Sequence, residues 1–149
     1  MKRFRFRLAA LLRYREFQEQ QARQAVLEAS RVLRECEADL ARQQAGLDQA
    51  RAACEGEALG GMTAERFLLF TRFVAGLETR RDAAQARRQK LLKELAACRK
   101  RLADAVVQRQ AVEKLKERRQ SEYDQDMAKE LQKQTEEIVL MHRGRKEKK

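Results

Sequence analysis

The sequence predicts an all-α fold, an antiparallel two-helix coiled-coil hairpin with a C-terminal helical overhang. Composition is the first reason: the 149 residues include no proline and no tryptophan, 38% are charged and 5% are aromatic. Strong helix formers such as alanine, leucine, glutamate and arginine dominate, which is typical of long helices and coiled coils. A heptad pattern and a single glycine-rich break are the other two reasons. Together they argue against a β-rich fold, a Rossmann-type enzyme and a disulfide scaffold.

The first element is a coiled-coil helix predicted over residues 1–55. Its seam positions alternate steps of three and four residues, and they are Ala22, Val26, Ala29, Leu33, Cys36, Leu40, Gln43, Leu47, Ala50 and Cys54. A 4-3 pattern sustained over several heptads is a coiled-coil seam and implies a left-handed supercoil. A single amphipathic helix on a globular core is the alternative, but no other segment supplies such a core.

A turn is predicted over residues 56–62, which contain three of the six glycines. Gly60 and Gly61 can adopt the positive φ that ends a helix. Thr63 suits the N-cap of the following helix, and Glu65 places an acid near the positive end of that helix. Because this is the one strong break in the pattern, the two arms must fold back on each other in antiparallel orientation.

The second coiled-coil helix is predicted over residues 63–119. Its seam continues the same alternation through Phe67, Phe70, Val74, Leu77, Arg81, Ala84, Arg88, Leu91, Leu95, Cys98, Leu102, Ala105, Arg109 and Val112. Arginine stems can pack in such a seam while the charges reach water. Polar layers of this kind weaken a coiled coil but fix its register.

The position of the turn sets the register, because facing seam residues must have numbers that add up to about 120. Leu47 then faces Val74, with a slip of one heptad as the alternative. The three cysteines, Cys36, Cys54 and Cys98, fall in different layers. We therefore expect no disulfide within the chain and reduced thiols.

The first arm ends opposite the end of the second helix and leaves residues 120–142 as a predicted unpaired helical extension. A partial apolar stripe runs along this extension through Tyr123, Met127, Leu131, Ile138 and Met141. An unpaired amphipathic helix of this length is marginal alone in water, so the extension is predicted to await a partner. Residues 143–149 are predicted to be a basic, frayed tail.

No group of residues predicts catalysis, a cofactor or a metal site. The chain lacks a glycine-rich phosphate loop and a Gly-x-Ser-x-Gly motif, its cysteines form no Cys-x-x-Cys pair, and His142 is its one histidine. We therefore expect a protein that is not an enzyme, with no cofactor, no metal and no small-molecule substrate. No stretch approaches the roughly 18 apolar residues of a membrane span, so a cytoplasmic location is expected.

The net charge of +11 is concentrated in three basic segments. Residues 1–15 carry six basic residues and no acidic residue. Residues 79–101 carry nine basic and two acidic residues, and residues 143–149 carry five basic residues and one acidic residue. Such segments predict acidic partners. Three functions fit this pattern: docking on acidic proteins, binding to nucleic acid or an anionic membrane surface, and a plain structural scaffold. The middle segment lacks aromatic residues, which argues against nucleic acid.

Several short motifs resemble the flagellar FliJ family. The opening Phe4-Arg-Phe-Arg-Leu8, followed by Leu11-Leu12-Arg13-x-Arg15-Glu16, resembles the start of that family. The segment Glu113-Lys-Leu-Lys-Glu-Arg-Arg119, with Glu122-Tyr123, resembles its C-terminal motif. Glu136-Glu137-Ile138 resembles a later Asp-Glu-apolar element, with Glu in place of Asp. In order and position, these motifs extend the resemblance over the whole chain.

The resemblance implies a cytoplasmic component of the flagellar type III protein export apparatus, associated peripherally with the inner face of the cell membrane at the flagellar base. The family forms an antiparallel coiled coil similar to the central stalk subunit of rotary ATPases. The resemblance implies three partners: the hexameric export ATPase, whose assembly the family promotes, the membrane export gate, and export chaperones. No nucleic acid partner is expected.

These partners indicate two candidate surfaces. The family's gate-contacting face would contain Phe73 and Leu77 here, and Phe73 stands beside the seam as a candidate exposed anchor. On the first arm the chain departs from the family, because smaller or polar residues replace larger apolar or aromatic groups of some members; these residues are Gln43, Gly46 and Ala50. The ATPase ring is expected to meet the open end of the hairpin, where the candidate contacts are Phe4, Phe6, Leu8, Arg13, Leu115, Arg118, Tyr123 and Ile138.

Overall fold

Two long helices make up almost all of the described chain. The computed structural model describes residues 3–146, with side chains described for residues 3–143. Helix α1, Ala9–Leu59, has 51 residues, and helix α2, Ala64–Lys146, has 83. No strand occurs among the described residues. The two helices pack against each other, so the prediction of an all-α helical hairpin is confirmed.

Helix α1 begins at Ala9, whereas the sequence placed the first helix over residues 1–55. The Ala9 N–H donates to the carbonyl of Phe6 at 3.2 Å, and the Leu12 N–H donates to the carbonyl of Leu8 at 3.0 Å. The helical hydrogen-bond ladder therefore starts at Leu8. Residues 3–6 lie outside any helix.

The turn is shorter than the expected 56–62, because α1 continues through Gly56 and ends at Leu59. The Gly60 N–H donates to the carbonyl of Glu57 at 3.1 Å, which closes the last turn of α1. Gly61 has φ +92°, a conformation that strains residues with a Cβ atom. Thr63 Oγ1 accepts the Arg66 N–H at 3.3 Å and so caps α2.

Burial follows the predicted heptad seam. Every seam position from Ala22 to Cys54 on α1, and every one from Phe70 to Val112 on α2, is buried or half-buried. Leu47 is fully buried. The thiol of Cys36 donates to the carbonyl of Ala84 at 3.8 Å, as the expected register requires. The hydrophobic core consists of Leu12, Leu33, Cys36, Leu47, Ala50 and Leu95.

Phe67 was predicted to belong to the seam, and the structure shows that this was wrong, because its side chain is 52% exposed. The ring lies near the turn, where the packed part of the seam ends: after Cys54 every residue of α1 is exposed.

The chain divides into two compact units. The turn unit is residues 20–103, and the terminal unit is residues 1–19 with residues 104–149. Each unit contains a segment of α1 and a segment of α2.

The C-terminal extension is a continuation of α2, which runs to Lys146. Tyr123 and Met127 are half-buried, whereas every described side chain from 128 to 143 is exposed. Of the tail predicted to be frayed, residues 143–146 are helical and residues 147–149 lie outside the described residues.

Candidate partner-binding surfaces

An extended N-terminal segment packs on α2 in the terminal unit. Within residues 3–7, Phe4 and Phe6 are half-buried while the arginines at positions 3, 5 and 7 are exposed. Alternate residues of an extended chain point to opposite sides, so aromatic and basic residues are separated. The ring of Phe4 packs on that of Tyr123, with centroids 5.6 Å apart and planes at 51°. Aromatic pairs prefer such tilted arrangements.

Five of the eight candidate ring contacts line one cavity, which we call the terminal cavity. It has a volume of about 620 Å³, and its walls include Leu8 and Leu115 beside the Phe4–Tyr123 pair. Its rim is charged, with Arg119 facing acidic neighbours on α2. The candidate contacts brought together here are Phe4, Phe6, Leu8, Leu115 and Tyr123.

The other three candidate ring contacts do not line the terminal cavity. Arg13 and Arg118 are exposed, on α1 and α2 respectively. Ile138 is 56% exposed and lies on the extension. Fifteen helical residues separate it from Tyr123, which corresponds to about 22 Å along the axis of α2. A partner must therefore be extended to reach both the cavity and Ile138.

A polar layer crosses the seam of the terminal unit. Arg109 donates to the carboxylates of Glu19 and Glu113, and Glu19 is buried. The hydrogen bond with Glu19, joined by the charge of Glu113, raises the pKa of the Arg109 guanidinium above its ordinary value. Nearby, Arg15 donates to Gln108 at 2.7 Å. The sequence identified Arg109 as a seam residue, but an acid outside the apolar pattern gave no signal for Glu19.

Four apolar side chains lie on the outside of the first turns of α1 and form what we call the outer row. Leu8 is 40% exposed, Leu11 36%, Tyr14 53% and Phe17 59%. They recur every three residues, and the guanidinium of Arg15 lies 5.8 Å from the centre of the Tyr14 ring. Sequence reasoning assigned a role to Leu8 alone. The signal was present, because Leu11, Tyr14 and Phe17 do not fit the seam spacing.

In the turn unit, the two candidate gate contacts have different surroundings. Phe73 is 58% exposed, beside the seam, whereas Leu77 is half-buried within it. Phe73 therefore offers the larger contact area. Further apolar side chains near Phe73 are also more than half exposed. With Phe73 they form what we call the turn patch, which consists of Leu59, Phe67, Leu68, Leu69 and Phe73. A helix start that is apolar on every side was the available signal.

The departures from the family pattern leave open space on α1. A Cβ atom at Gly46 would meet nothing within 4 Å, and the same holds for Gly76 on α2. Gln43 is half-buried, and its Nε2 donates to Asp39 at 3.0 Å. Its Oε1 atom is buried without a hydrogen-bond partner in the described part of the chain. This stretch of α1 is therefore flatter and more polar than larger apolar groups would make it.

Membrane and metal features can be stated for the described residues alone. Among residues 3–146, no helix is long and apolar enough to cross a bilayer. In the same part of the chain, no group of three or more His, Cys, Asp or Glu side chains could hold a metal ion. The cysteines Cys36, Cys54 and Cys98 are free thiols.

The fold and these surfaces define a coiled-coil hairpin protein that presents apolar and basic side chains on long helices. A family model described as Flagellar FliJ protein matches residues 4–148. The chain belongs to this family, whose members are components of the flagellar export apparatus and act in type III export for motility. Neither the curated proteins nor the solved structures that were searched gave a match.

Proposed function

We propose that this protein is the coiled-coil stalk of the flagellar export apparatus. Its terminal unit engages the hexameric export ATPase and promotes assembly and activity of the ring, and its turn unit contacts the membrane export gate. Export chaperones are further partners, and the site of action is the inner face of the membrane at the flagellar base. The observation that carries this proposal is the convergence of five candidate ring contacts on the terminal cavity of a chain that belongs to the family.

The terminal cavity supports the ring contact because it combines apolar anchors with positive charge. Partly buried aromatic residues such as Phe4 and Tyr123 are typical binding hot spots. The exposed arginines at positions 3, 5 and 7 would meet acidic loops of the ATPase ring. Opposite charges of this kind accelerate association more than they strengthen the final complex.

The extension supports the same contact by a different route. Leu131 and Ile138 are seven residues apart on α2, 52% and 56% exposed, and so lie on one face of the helix. A helix with an uncovered apolar face is marginal alone, and a partner that covers the face stabilises it. The ATPase ring would therefore order the extension on binding.

The ring contact is tested by the ATPase activity of the purified export ATPase in the presence of full-length protein. Removal of residues 120–149 should abolish the stimulation, and unchanged stimulation would refute the assignment. A finer test replaces both Leu131 and Ile138 by serine, which should reduce stimulation strongly. Leu140→Ser is the matched control, because Leu140 is 66% exposed but lies on another face of the helix.

The gate contact rests on Phe73, whose exposed ring offers an anchor beside the seam. Phe73→Ser should weaken capture of the protein by the cytoplasmic part of the gate by about tenfold or more. Leu68→Ser is the control, since Leu68 is 57% exposed on a different side of α2. Equal losses for both variants would show that the turn patch acts as a whole and that Phe73 is not the anchor.

A further inference from the structure

The start of α1 carries exposed apolar side chains, Leu11, Tyr14 and Phe17, that belong to neither the candidate gate contact nor the terminal cavity. We propose that the outer row and the arginines around it bind an anionic phospholipid bilayer. The surface consists of Leu11, Tyr14 and Phe17 on α1, with the exposed arginines Arg3, Arg5, Arg7 and Arg13. This proposal concerns the free protein and does not rest on the contacts with the ATPase or the gate.

The apolar part of the surface is formed by side chains that the hairpin leaves uncovered. Tyr14 is 53% exposed and Phe17 59%. The seam residues next to them on the helix, Leu12 and Glu19, are buried. The Tyr14 hydroxyl accepts a hydrogen bond from Gln18 Nε2 at 2.8 Å, which holds the ring along the helix. Aromatic residues with one polar end are well suited to the boundary between lipid headgroups and acyl chains.

The charge of the segment is complementary to an anionic bilayer. No acid occurs before Glu16, while six basic residues lie in residues 1–15. Arg3, Arg5, Arg7 and Arg13 are exposed. Each basic residue near an anionic membrane surface strengthens binding by about fivefold, and short apolar insertions add to this. Neither contribution alone gives stable binding, but the segment has both.

The geometry of the outer row favours a bilayer over a groove on a folded protein. Residues three apart on an α-helix differ by about 60° in direction, so the row from Leu8 to Phe17 winds halfway round the axis. A protein groove that accepts a helix reads anchors on one straight face, at spacings of three, four and seven residues. A fluid lipid surface can instead surround the end of a helix and cover a row that winds.

Because lipid and ATPase both require the arginines of the N-terminal segment, one copy of the protein would bind them in turn. The two interactions can be separated experimentally, since Leu11, Tyr14 and Phe17 do not line the terminal cavity that carries the ATPase proposal. Loss of vesicle binding with intact ATPase stimulation would affect the lipid proposal alone. Loss of stimulation with intact vesicle binding would affect the ATPase proposal alone.

The experiment is co-sedimentation of the full-length protein with vesicles. Vesicles of phosphatidylcholine with about 30% phosphatidylglycerol should bind the protein, and vesicles of phosphatidylcholine alone should not. Binding should weaken by about tenfold or more in the double variant Tyr14→Ser, Phe17→Ser, and also in Arg3→Gln, Arg7→Gln. Leu27→Ser is the matched control, because Leu27 is 65% exposed on α1 in the turn unit, and it should bind like the unmodified protein.

Circular dichroism of each variant checks that the helices persist, and ATPase stimulation by the aromatic double variant gives an independent measure of a native hairpin. Three results would overturn the proposal. They are absence of binding to anionic vesicles, equal binding to neutral vesicles, and unchanged binding of the Tyr14→Ser, Phe17→Ser variant. In the last case competition by duplex DNA would identify a general phosphate-binding surface, such as one for nucleic acid.

Discussion

The turn unit and the terminal unit distribute apolar and charged residues in opposite ways. Five of the six core side chains lie in the turn unit, with Leu47 fully buried, and the seam residue Arg88 of this unit forms a half-exposed ion pair with Glu37 at 2.9 Å. In the terminal unit a charge, Glu19, is buried in the seam, while apolar rings such as Phe17 are outside. Burial of apolar surface stabilises a fold, whereas exposed apolar surface is available to a partner. The comparison indicates that the core lies mainly in the turn unit, whereas the terminal unit buries a charge and leaves aromatic rings exposed.

The charges near the turn and those near the N-terminus also differ. Charges near the turn are paired with charges on the other helix, as in Arg66–Glu57 at 2.7 Å. The N-terminal segment instead has six basic residues and no acid in positions 1–15. Surface ion pairs add little stability, but an unbalanced positive segment attracts anionic partners over longer distances. The units therefore differ in what they attract as well as in what they bury.

The largest expected effect is in the core of the turn unit. Leu47→Ala should lower the free energy of unfolding by about 3 kcal/mol, because it leaves a cavity in the seam. Urea unfolding followed by circular dichroism measures this loss. The control Leu27→Ala removes a side chain that is 65% exposed and should change stability by less than about 0.5 kcal/mol. Similar losses for both would contradict the role given to the seam.

A smaller effect is expected from the polar layer of the terminal unit. Glu19→Leu or Arg109→Leu alone should lower the melting temperature, because each removes the Arg109–Glu19 hydrogen bond while the other charge remains in the seam. The double variant should melt at or above the temperature of the unmodified protein, since an apolar layer replaces the ion pair. Thermal melting of all four proteins checks this. If the two losses simply added, the residues would not be coupled.

Two glycine substitutions should act in opposite directions. Gly61→Ala should destabilise the protein by about 1 kcal/mol, because an alanine at φ +92° is strained. Gly76→Ala should stabilise it by about 0.5–1 kcal/mol, because Gly76 is inside α2 and has open space around its Cβ position. Urea midpoints compare the two variants directly. A stabilising Gly61→Ala would show that the turn can rearrange without cost.

The smallest effect should come from removing residues 128–149. The described side chains of this segment are all exposed, so the remaining protein should unfold with a free energy within about 0.5 kcal/mol of the original. A urea titration of the truncated protein provides the measurement. A loss close to that of Leu47→Ala would mean that the segment contributes to the core, and the contrast in burial between the two units would then disappear.

Much of the fold could be predicted from the sequence because burial in a coiled coil follows a regular period. The seam from Ala22 to Cys54 could be assigned residue by residue, since a residue that faces the partner helix recurs every three or four positions. Phe67 could not, because its exposure depends on what α1 places opposite it. The packed part of α1 ends at Cys54, and only the structure shows where it ends.

The candidate surfaces could be predicted only in part. The aromatic and basic N-terminus identified the end of the chain that carries the terminal cavity, but no periodicity links Phe4 to Tyr123. The two residues meet because residues 3–6 are extended and α1 begins at Ala9. The outer row could not be predicted as a surface for a related reason. Tyr14 and Phe17 are left exposed only because other residues fill the seam beside them.

The sequence by itself determined the helical hairpin, the seam and membership of the flagellar FliJ family, because these depend on local propensity, a repeating period and ordered motifs. The tertiary structure alone decided where α1 begins, which charges are buried together and which apolar side chains remain outside. These features depend on pairs such as Glu19 and Arg109, which are far apart in the chain. Contacts of that kind are absent from any local pattern, since they exist only after the two helices have packed.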